Sequence, residues 1–180
     1  MGSVMEAIKN RRSVRKYEDR DVPEAVVQEL LEAVRWSQSW ANTQCWEVIV
    51  VRQQEIKDQL SEAVLKGNPA QKSVSSAPVV LVLCAKLKSS GYYKDVVTTK
   101  FGDWFMFDIG IAAQSICLQA QDLGLGAVVM GLFDHNRTRE ILAVPEGYEV
   151  VTMIPLGYPA KPTSAPKRRE IEEFTHNERF

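Results

Sequence analysis

Residues 103–123 form one helix-length stretch with almost no polar face: Phe107, Ile109, Gly110, Ile111, Ala112, Ala113, Ile116, Cys117, Leu118 and Ala120 surround its axis. A helix that is apolar nearly all round has to be covered on several sides, so this stretch dictates a layered fold built around it. Gly110, Ala112 and Ala113 let a second backbone come close, because the distance between packed helices follows the side chains at the contact. That suits a subunit interface and also the core helix of a single chain.

The partners of this helix can be read from the rest of the chain. Pro78 opens Val79-Val80-Leu81-Val82-Leu83-Cys84, the most apolar run in the sequence and a strand buried on both faces. Residues 47–52, with Val48, Ile49, Val50 and Val51, make a β-branched strand, and residues 127–130 and 149–156 make two more. A short amphipathic helix is expected at Val4, Met5 and Ile8. A longer one carries the stripe Val26, Val27, Leu30, Leu31 and Val34, with Asp21 as its N-cap and Pro23 in its first turn. Ile56, Leu60 and Val64 mark a third helix that stops at Gly67, and residues 137–143 mark a short fourth. Helices and strands alternate only in part, which argues for an α+β layer fold over residues 1–180, one domain, rather than a doubly wound dinucleotide fold. Residues 87–102 show no period and read as a lid or insertion. Four prolines between 155 and 166 make residues 157–180 an extended arm suited to lying on a partner chain.

Charge and composition exclude several classes. A net charge of −1 offers no general attraction to nucleic acid or an anionic membrane. No apolar run reaches the roughly 18 residues of a membrane span. The N-terminus turns polar too soon for a signal peptide. Met1-Gly2-Ser3 opens like a myristoylation signal, but Glu6 stands where Ser or Thr is needed. Cys45, Cys84 and Cys117 are too far apart for a metal site and odd in number; Cys84 and Cys117 lie in apolar runs as buried thiols of a cytoplasmic protein. His135 and His176 are the only histidines, so neither a metal site nor a His-based triad has a foundation. With so little reactive machinery in the side chains, the chemistry falls to a bound cofactor.

Arg11-Arg12-Ser13-Val14-Arg15 holds three guanidiniums and a hydroxyl in five residues. Guanidinium forks suit bidentate binding of phosphate oxygens. Alternation along an extended segment puts Arg11, Ser13 and Arg15 on one side and Arg12 on the other. The competing reading is a solvated basic turn closing the first helix. Asn42, Gln44 and Asn68 carry amides that donate and accept, which fits a heterocycle with imide edges, and Gly131 admits a flat ring. Arg168 adds a charge from the arm. Each has a plain alternative: the amides satisfy turns, and Arg168 pairs with Glu172 or Glu173. Gly124-Leu125-Gly126 lacks the context of a phosphate loop, so Gly124 reads better as a helix C-cap.

In order along the chain, these segments resemble the FMN-dependent nitroreductase family. The matching stretches are Arg11-Arg12-Ser13-Val14-Arg15-Lys16-Tyr17; Asn42-Thr43-Gln44-Cys45-Trp46, similar to an Asn-x-Gln-Pro-Trp loop; Gly124-Leu125-Gly126-Ala127 through Gly131; Ile154-Pro155-Leu156-Gly157-Tyr158-Pro159; and Pro166-Lys167-Arg168-Arg169-Glu170-Ile171-Glu172-Glu173. Residues 87–102 fall outside the resemblance. Cys45 departs from the usual Pro, and Gln38 from the Pro that commonly precedes Ser39.

The resemblance implies a three-layer α/β/α sandwich with a central mixed sheet, the long helix at a homodimer interface and the C-terminal arm wrapped over the partner. It implies FMN at that interface, with Arg11, Arg12, Ser13, Arg15 and Arg168 at the phosphate. Ser39, Asn42, Gln44 and Asn68 would address the ribityl chain or ring, and Met130 and Gly131 would lie against the ring, some of these contacts coming from the neighbouring subunit. It implies ping-pong transfer from NADH or NADPH through FMN to a nitroaromatic, quinone or similar small acceptor, with no side chain acting as catalytic acid or base. Trp40, Tyr92, Tyr93 and Trp104 are the acceptor-pocket residues, with core or lid packing as their other role. Two rival expectations stand beside it: other flavin chemistry on the same fold (reductive dehalogenation, flavin cleavage), and a non-catalytic FMN carrier or sensor.

Overall fold

Strand β2, Val79–Lys86, has seven of its eight residues buried. In this computed structural model, which describes residues 3–180, its pleat divides the protein into two cores. Val79, Leu81, Leu83 and Ala85 enter one; Val80, Val82 and Cys84 enter the other. Strands β1 (Trp46–Val51), β5 (Gly126–Ala127) and β6 (Tyr148–Gly157) complete a sheet of order β1-β2-β6-β5. Every ladder in it is antiparallel, and the parallel part of the expected mixed sheet is one isolated bridge, Ser13 to Ala127, beside β5.

The helices are α1 (Val4–Asn10), α2 (Glu24–Arg35), α3 (Gln54–Ala63), α4 (Gln71–Ser76), α5 (Phe105–Asp122) and α6 (His135–Ile141). α2 and α5 cover one face of the sheet through Val27, Leu30, Ile109, Ala112 and Ile116. α3, α4 and α6 cover the other through Leu60, Val74 and Ile141. The β2–β6 register slips between Leu83 and Cys84, leaving Val151 without a partner. This bulge lets Val150 and Met153, three residues apart, enter the same core.

Several local expectations are met by identifiable bonds. Gly124, at φ +73°, closes α5: its N–H reaches Gln121 O at 3.2 Å while the Leu125 N–H reaches Ala120 O at 2.7 Å, the paired bonds of a left-handed helix stop. Glu6, which spoils the myristoylation pattern, closes a capping box with Ser3 at the start of α1. Met1 and Gly2 lie outside the described residues.

Others are corrected. Asp21 does not cap α2; Pro23 is the N-cap, and Asp21 instead pairs with Arg52 at 3.2 Å. α4 was not anticipated, because its Gln-Lys-Ser-Val-Ser-Ser sequence carries almost no apolar stripe; the Asn68 side chain starts it by accepting the Ala70 N–H at 3.0 Å. Of residues 127–130, only Ala127 is in a strand; Met130 makes an isolated bridge to Met153 and Val129 is exposed. Residues 87–102 contain a hairpin, β3 (Tyr92–Tyr93) with β4 (Val96–Val97), turned by Lys94 and Asp95 at φ 48° and 62°. Positive φ at both central residues is the tight hairpin turn that sequence announces through Gly or Asn, and neither is present. The base of the segment is shut by Lys88 N–H to Asp103 Oδ2 (2.7 Å) and Trp104 N–H to Ser90 O (3.0 Å).

Two apolar surfaces face solvent in the single chain. Val4, Met5 and Ile8 leave α1 with no buried residue, and Met106, Phe107 and Gly110 are exposed on α5, which is therefore not covered all round. Every residue from 160 to 180 is exposed, including the 3-10 turn Ile171–Glu173. No helix among the described residues is long and apolar enough to cross a membrane.

Candidate functional site

The chain just after α1 is laid along the short edge of the sheet. The Val14 N–H donates to Ala127 O at 3.0 Å, and the Glu18 N–H to Tyr158 O at 2.8 Å. Between them Tyr17 Oη lies 2.9 Å from Val14 O and 2.8 Å from Pro155 O, sharing its proton with both. Burial pushes the Tyr17 phenol well above its ordinary range, so it stays a donor. Val14 is buried against Gly126, where an added Cβ would stand 2.5–2.8 Å from Val14 side-chain carbons. Only a residue without a side chain leaves room for this strand at that edge.

Pinned in this way, Arg11, Arg12, Ser13 and Arg15 line a pocket of about 340 Å³ with Thr163, Ser164, Pro166 and Arg168. The four guanidiniums share it with three hydroxyls and no carboxylate. None of the four makes an ion pair among the described residues. Arg168 turns to its own backbone, at Pro166 O and Lys167 O, rather than to Glu172 or Glu173. Arg12 also lines the pocket, although its guanidinium turns back towards α1. Its Nη1 donates to Lys9 O (2.5 Å) and Arg11 O (2.8 Å), closing α1, while its Nε is buried with no hydrogen-bond partner.

A second cavity of about 780 Å³ adjoins the first, sharing Ser13, Arg15 and Thr163 and adding Lys16, Asn68, Gln71, Lys72 and Lys161 among others. The Asn68 amide is half engaged: Nδ2 donates to Leu132 O at 3.1 Å and Oδ1 accepts from Ala70. One N–H and one lone pair remain free for a ligand. Leu132 follows Met130, which is buried, and Gly131, which is exposed with open space where a Cβ would be.

The remaining expected residues line neither cavity. Ser39, Trp40, Asn42 and Gln44 sit on a 3-10 turn, Trp40–Asn42, and its continuation, where Ala41, Asn42 and Gln44 have φ of 45°, 56° and 48°. Three neighbouring left-handed residues are strained backbone that persists only when surroundings enforce it. Ser39 Oγ accepts the Gln44 N–H at 2.9 Å, and Gln44 Nε2 donates to Asn42 Oδ1 at 3.3 Å. Trp104 stands between Phe101 and Phe107, ring centroids 5.9 and 5.3 Å away, while Tyr92 and Tyr93 lie on the hairpin. Within one chain, therefore, the structure gathers Arg11, Arg12, Ser13, Arg15 and Arg168 in one pocket and Asn68 in the next. It leaves Ser39, Asn42, Gln44 and the aromatic residues elsewhere. Sequence reasoning missed Lys16, Lys72, Lys161, Thr163 and Ser164; only Lys16 lay inside a motif already singled out.

The Nitroreductase family model matches residues 8–158, from within α1 through the end of β6. The chain belongs to the nitroreductase family. A Methanothermobacter thermautotrophicus relative provisionally named NADH dehydrogenase/NAD(P)H nitroreductase is 36% identical over 162 residues, covering 88% of this chain and 78% of the relative. The Bacillus subtilis strain 168 protein named FMN reductase (NAD(P)H) is 29% identical over 191 residues, covering 100% of this chain and 75% of its own. Among solved structures, an FMN-dependent nitroreductase from Clostridium difficile R20291 superposes with a TM-score of 0.82 at 28% identity, covering 98% of this chain and 99% of that one. The arginine pocket and the Asn68 cavity adjoin through Ser13, Arg15 and Thr163.

Proposed function

We propose that this nitroreductase-family oxidoreductase holds the phosphate of FMN between Arg11, Arg12, Ser13, Arg15 and Arg168, takes reducing equivalents from NAD(P)H, and delivers them to a nitroaromatic, a quinone or a similar small acceptor. The observation that carries the reading is the cluster of four guanidiniums with no carboxylate among them, in a protein whose net charge is −1. Like charges gathered in one pocket repel, so an anion bound there is favoured. The residues fit a phosphate dianion: forked donors and hydroxyls surround the pocket, and the partnerless Arg12 Nε supplies a buried donor still to be satisfied.

When bound, FMN supplies the hydride-accepting and hydride-donating chemistry. The chain's own residues bind and orient. Arg11, Ser13, Arg15 and Arg168 would hold the phosphate end; the free N–H and lone pair of Asn68 would be available to an imide edge; the backbone at Met130 and Gly131 would leave a flat ring room. Lys16, Lys72 and Lys161 around the larger cavity attract the phosphates of a pyridine nucleotide. Ser39, Asn42 and Gln44, which line neither cavity of the single chain, would reach an FMN held by a second copy in a homodimer with the site at its interface. Exposed Val4, Met5 and Ile8 on α1, exposed Met106 and Phe107 on α5 and the exposed arm 160–180 support the same assembly. Tyr92 and Tyr93 on the hairpin of residues 87–102, with Trp40 and Trp104, form the acceptor side. The three free, buried cysteines suit a reducing cytoplasm.

The test is an anaerobic absorbance spectrum of the purified protein before and after NADH, then NADPH, then an acceptor. Bleaching of a flavin spectrum and its return on adding a nitroaromatic or a quinone is the expected result. A flavin spectrum that neither nucleotide bleaches would sink the reductase reading in favour of a carrier. Protein that no FMN can reconstitute would overturn the phosphate assignment as well.

A further inference from the structure

Asp108 is the one buried carboxylate among the described residues, 1% exposed in the first turn of α5. The packing of α5 alone would be served by an apolar side chain there. Instead Asp108 gathers donors from two segments distant in sequence. The Trp40 N–H lies 3.1 and 3.2 Å from its two oxygens, the Cys45 thiol 3.6 Å, and the Ser90 hydroxyl 2.6 Å. A carboxylate taken out of water is tolerated only when such donors replace its hydration, and each donor removed leaves the rest under-satisfied.

The positions of the donors are informative. Trp40 and Cys45 bracket the turn that holds Ala41, Asn42 and Gln44 in the left-handed region, so Asp108 grips both ends of the strained loop. Ser90 is fully buried at the base of the hairpin segment, and its carbonyl accepts the Trp104 N–H. Burial and the neighbouring Asp108 push the Cys45 thiol up to about 12, so it remains a donor at neutral pH. A proline at 45 has no group that could make this bond.

We infer that Asp108 is a positioning residue that joins the loop of residues 39–45 and the segment of residues 87–104 into one unit, so that ordering of the loop by FMN also sets the aromatic side chains of the acceptor pocket. The inference rests on the reading that Ser39, Asn42 and Gln44 face the flavin. Coupling of this kind is reciprocal: whatever fixes the hairpin segment also tightens the cofactor.

The test is hydrogen exchange on the full-length protein, apo and reconstituted with FMN, in the wild type and in Ser90→Ala. Ser90→Ala cuts the link to Asp108 while leaving the bond from Lys88 N–H to the Asp103 carboxylate and the Trp104–Ser90 backbone bond in place, so the segment keeps its own fold. FMN is expected to slow exchange in both segments of the wild type, but only in residues 39–45 of Ser90→Ala. That variant's KM for a quinone should rise by about tenfold, the scale of one hydrogen bond to a charged group. A parallel pair isolates the loop: Cys45→Ala should weaken FMN binding and Cys45→Ser, which restores a donor, should recover it. Protection of residues 39–45 alone in the wild type, or protection of both segments in Ser90→Ala, would overturn the coupling. Protection of neither would overturn the assignment of the loop to the flavin and the inference with it.

Discussion

Replacing Gly126 by Ala puts a methyl group where the arginine strand now runs. The new Cβ would lie 2.5 Å from Val14 Cγ2, 2.6 Å from Val14 Cβ and 2.8 Å from Val14 Cγ1. Carbon atoms prefer separations of about 3.5–4.0 Å, so the strand has to retreat by roughly 1 Å. A retreat of that size breaks the 3.0 Å bond from the Val14 N–H to Ala127 O. Overpacking costs about 1–3 kcal/mol and the lost bond about 1 more, a fall in Tm of roughly 4–16 °C for a chain of this size. The larger effect should be on the cofactor. Ser13 and Arg15 flank Val14 and move with it, and each charge-assisted bond they lose is worth about 1.5–3 kcal/mol, or roughly ten- to a hundredfold in affinity. Fluorescence titration of the apoprotein with FMN, run beside a thermal melt of the same preparation, measures both. Adding Val14→Ala leaves Val14 Cβ in place and should restore little. A folded Gly126→Ala protein with FMN affinity within twofold of wild type would refute the claim that the edge of β5 positions the clamp.

Arg15→Ala should weaken FMN binding by about ten- to a hundredfold, and full retention of FMN by dilute protein would remove Arg15 from the phosphate site. Gly110→Ala separates an open face of α5 from a packed one: in the single chain the new Cβ meets nothing within 4 Å, and alanine favours the helix by about 0.8–1.0 kcal/mol. A dimer joined through that face should therefore dissociate more readily in sedimentation at micromolar protein, whereas a stabilised variant with unchanged association would take α5 out of the interface. Burial holds the Cys45 and Cys84 thiols up to about 12 and about 11. Unfolded thiols ionise near about 8.5, so above that pH the unfolded chain releases protons the native one keeps, and stability falls as pH rises. Urea unfolding at pH 7, 9 and 10 should show the decline, made shallower by Cys84→Ala.

What could be read in advance follows the physics of each element. β2 was legible because burial on both faces leaves an unbroken apolar run, and the end of α5 because only a residue tolerant of left-handed φ closes a helix as Gly124 does. The arginine cluster was legible as a gathering of charges but not as geometry. Alternation did not show that the end of α1 claims the Arg12 guanidinium for the Lys9 carbonyl. The hairpin of residues 87–102 escaped because Lys94 and Asp95 adopt positive φ without the residues that usually signal it, and because two-residue strands are too short to show a period. Asp108 escaped for a different reason. In sequence it is one acid near the start of an apolar helix, and its meaning depends on Trp40, Cys45 and Ser90, which only the tertiary fold delivers.

The arm from residue 160 onward has a consequence for the lifetime of the protein. It carries Lys167, Arg168 and Arg169 in succession on an exposed chain, the conformation a trypsin-like protease grips. One cut after Lys167 removes Arg168 from the arginine pocket while sparing both cores. On the proposed assignment of Arg168 to the phosphate, FMN would hold the arm down, so the loaded protein should resist clipping where the empty one does not. A chain clipped while empty would then reload poorly, making the loss of cofactor a step towards degradation. Flavin supply would thereby regulate how long each molecule survives, and a tryptic time course with and without FMN would display it as the survival of a 180-residue band.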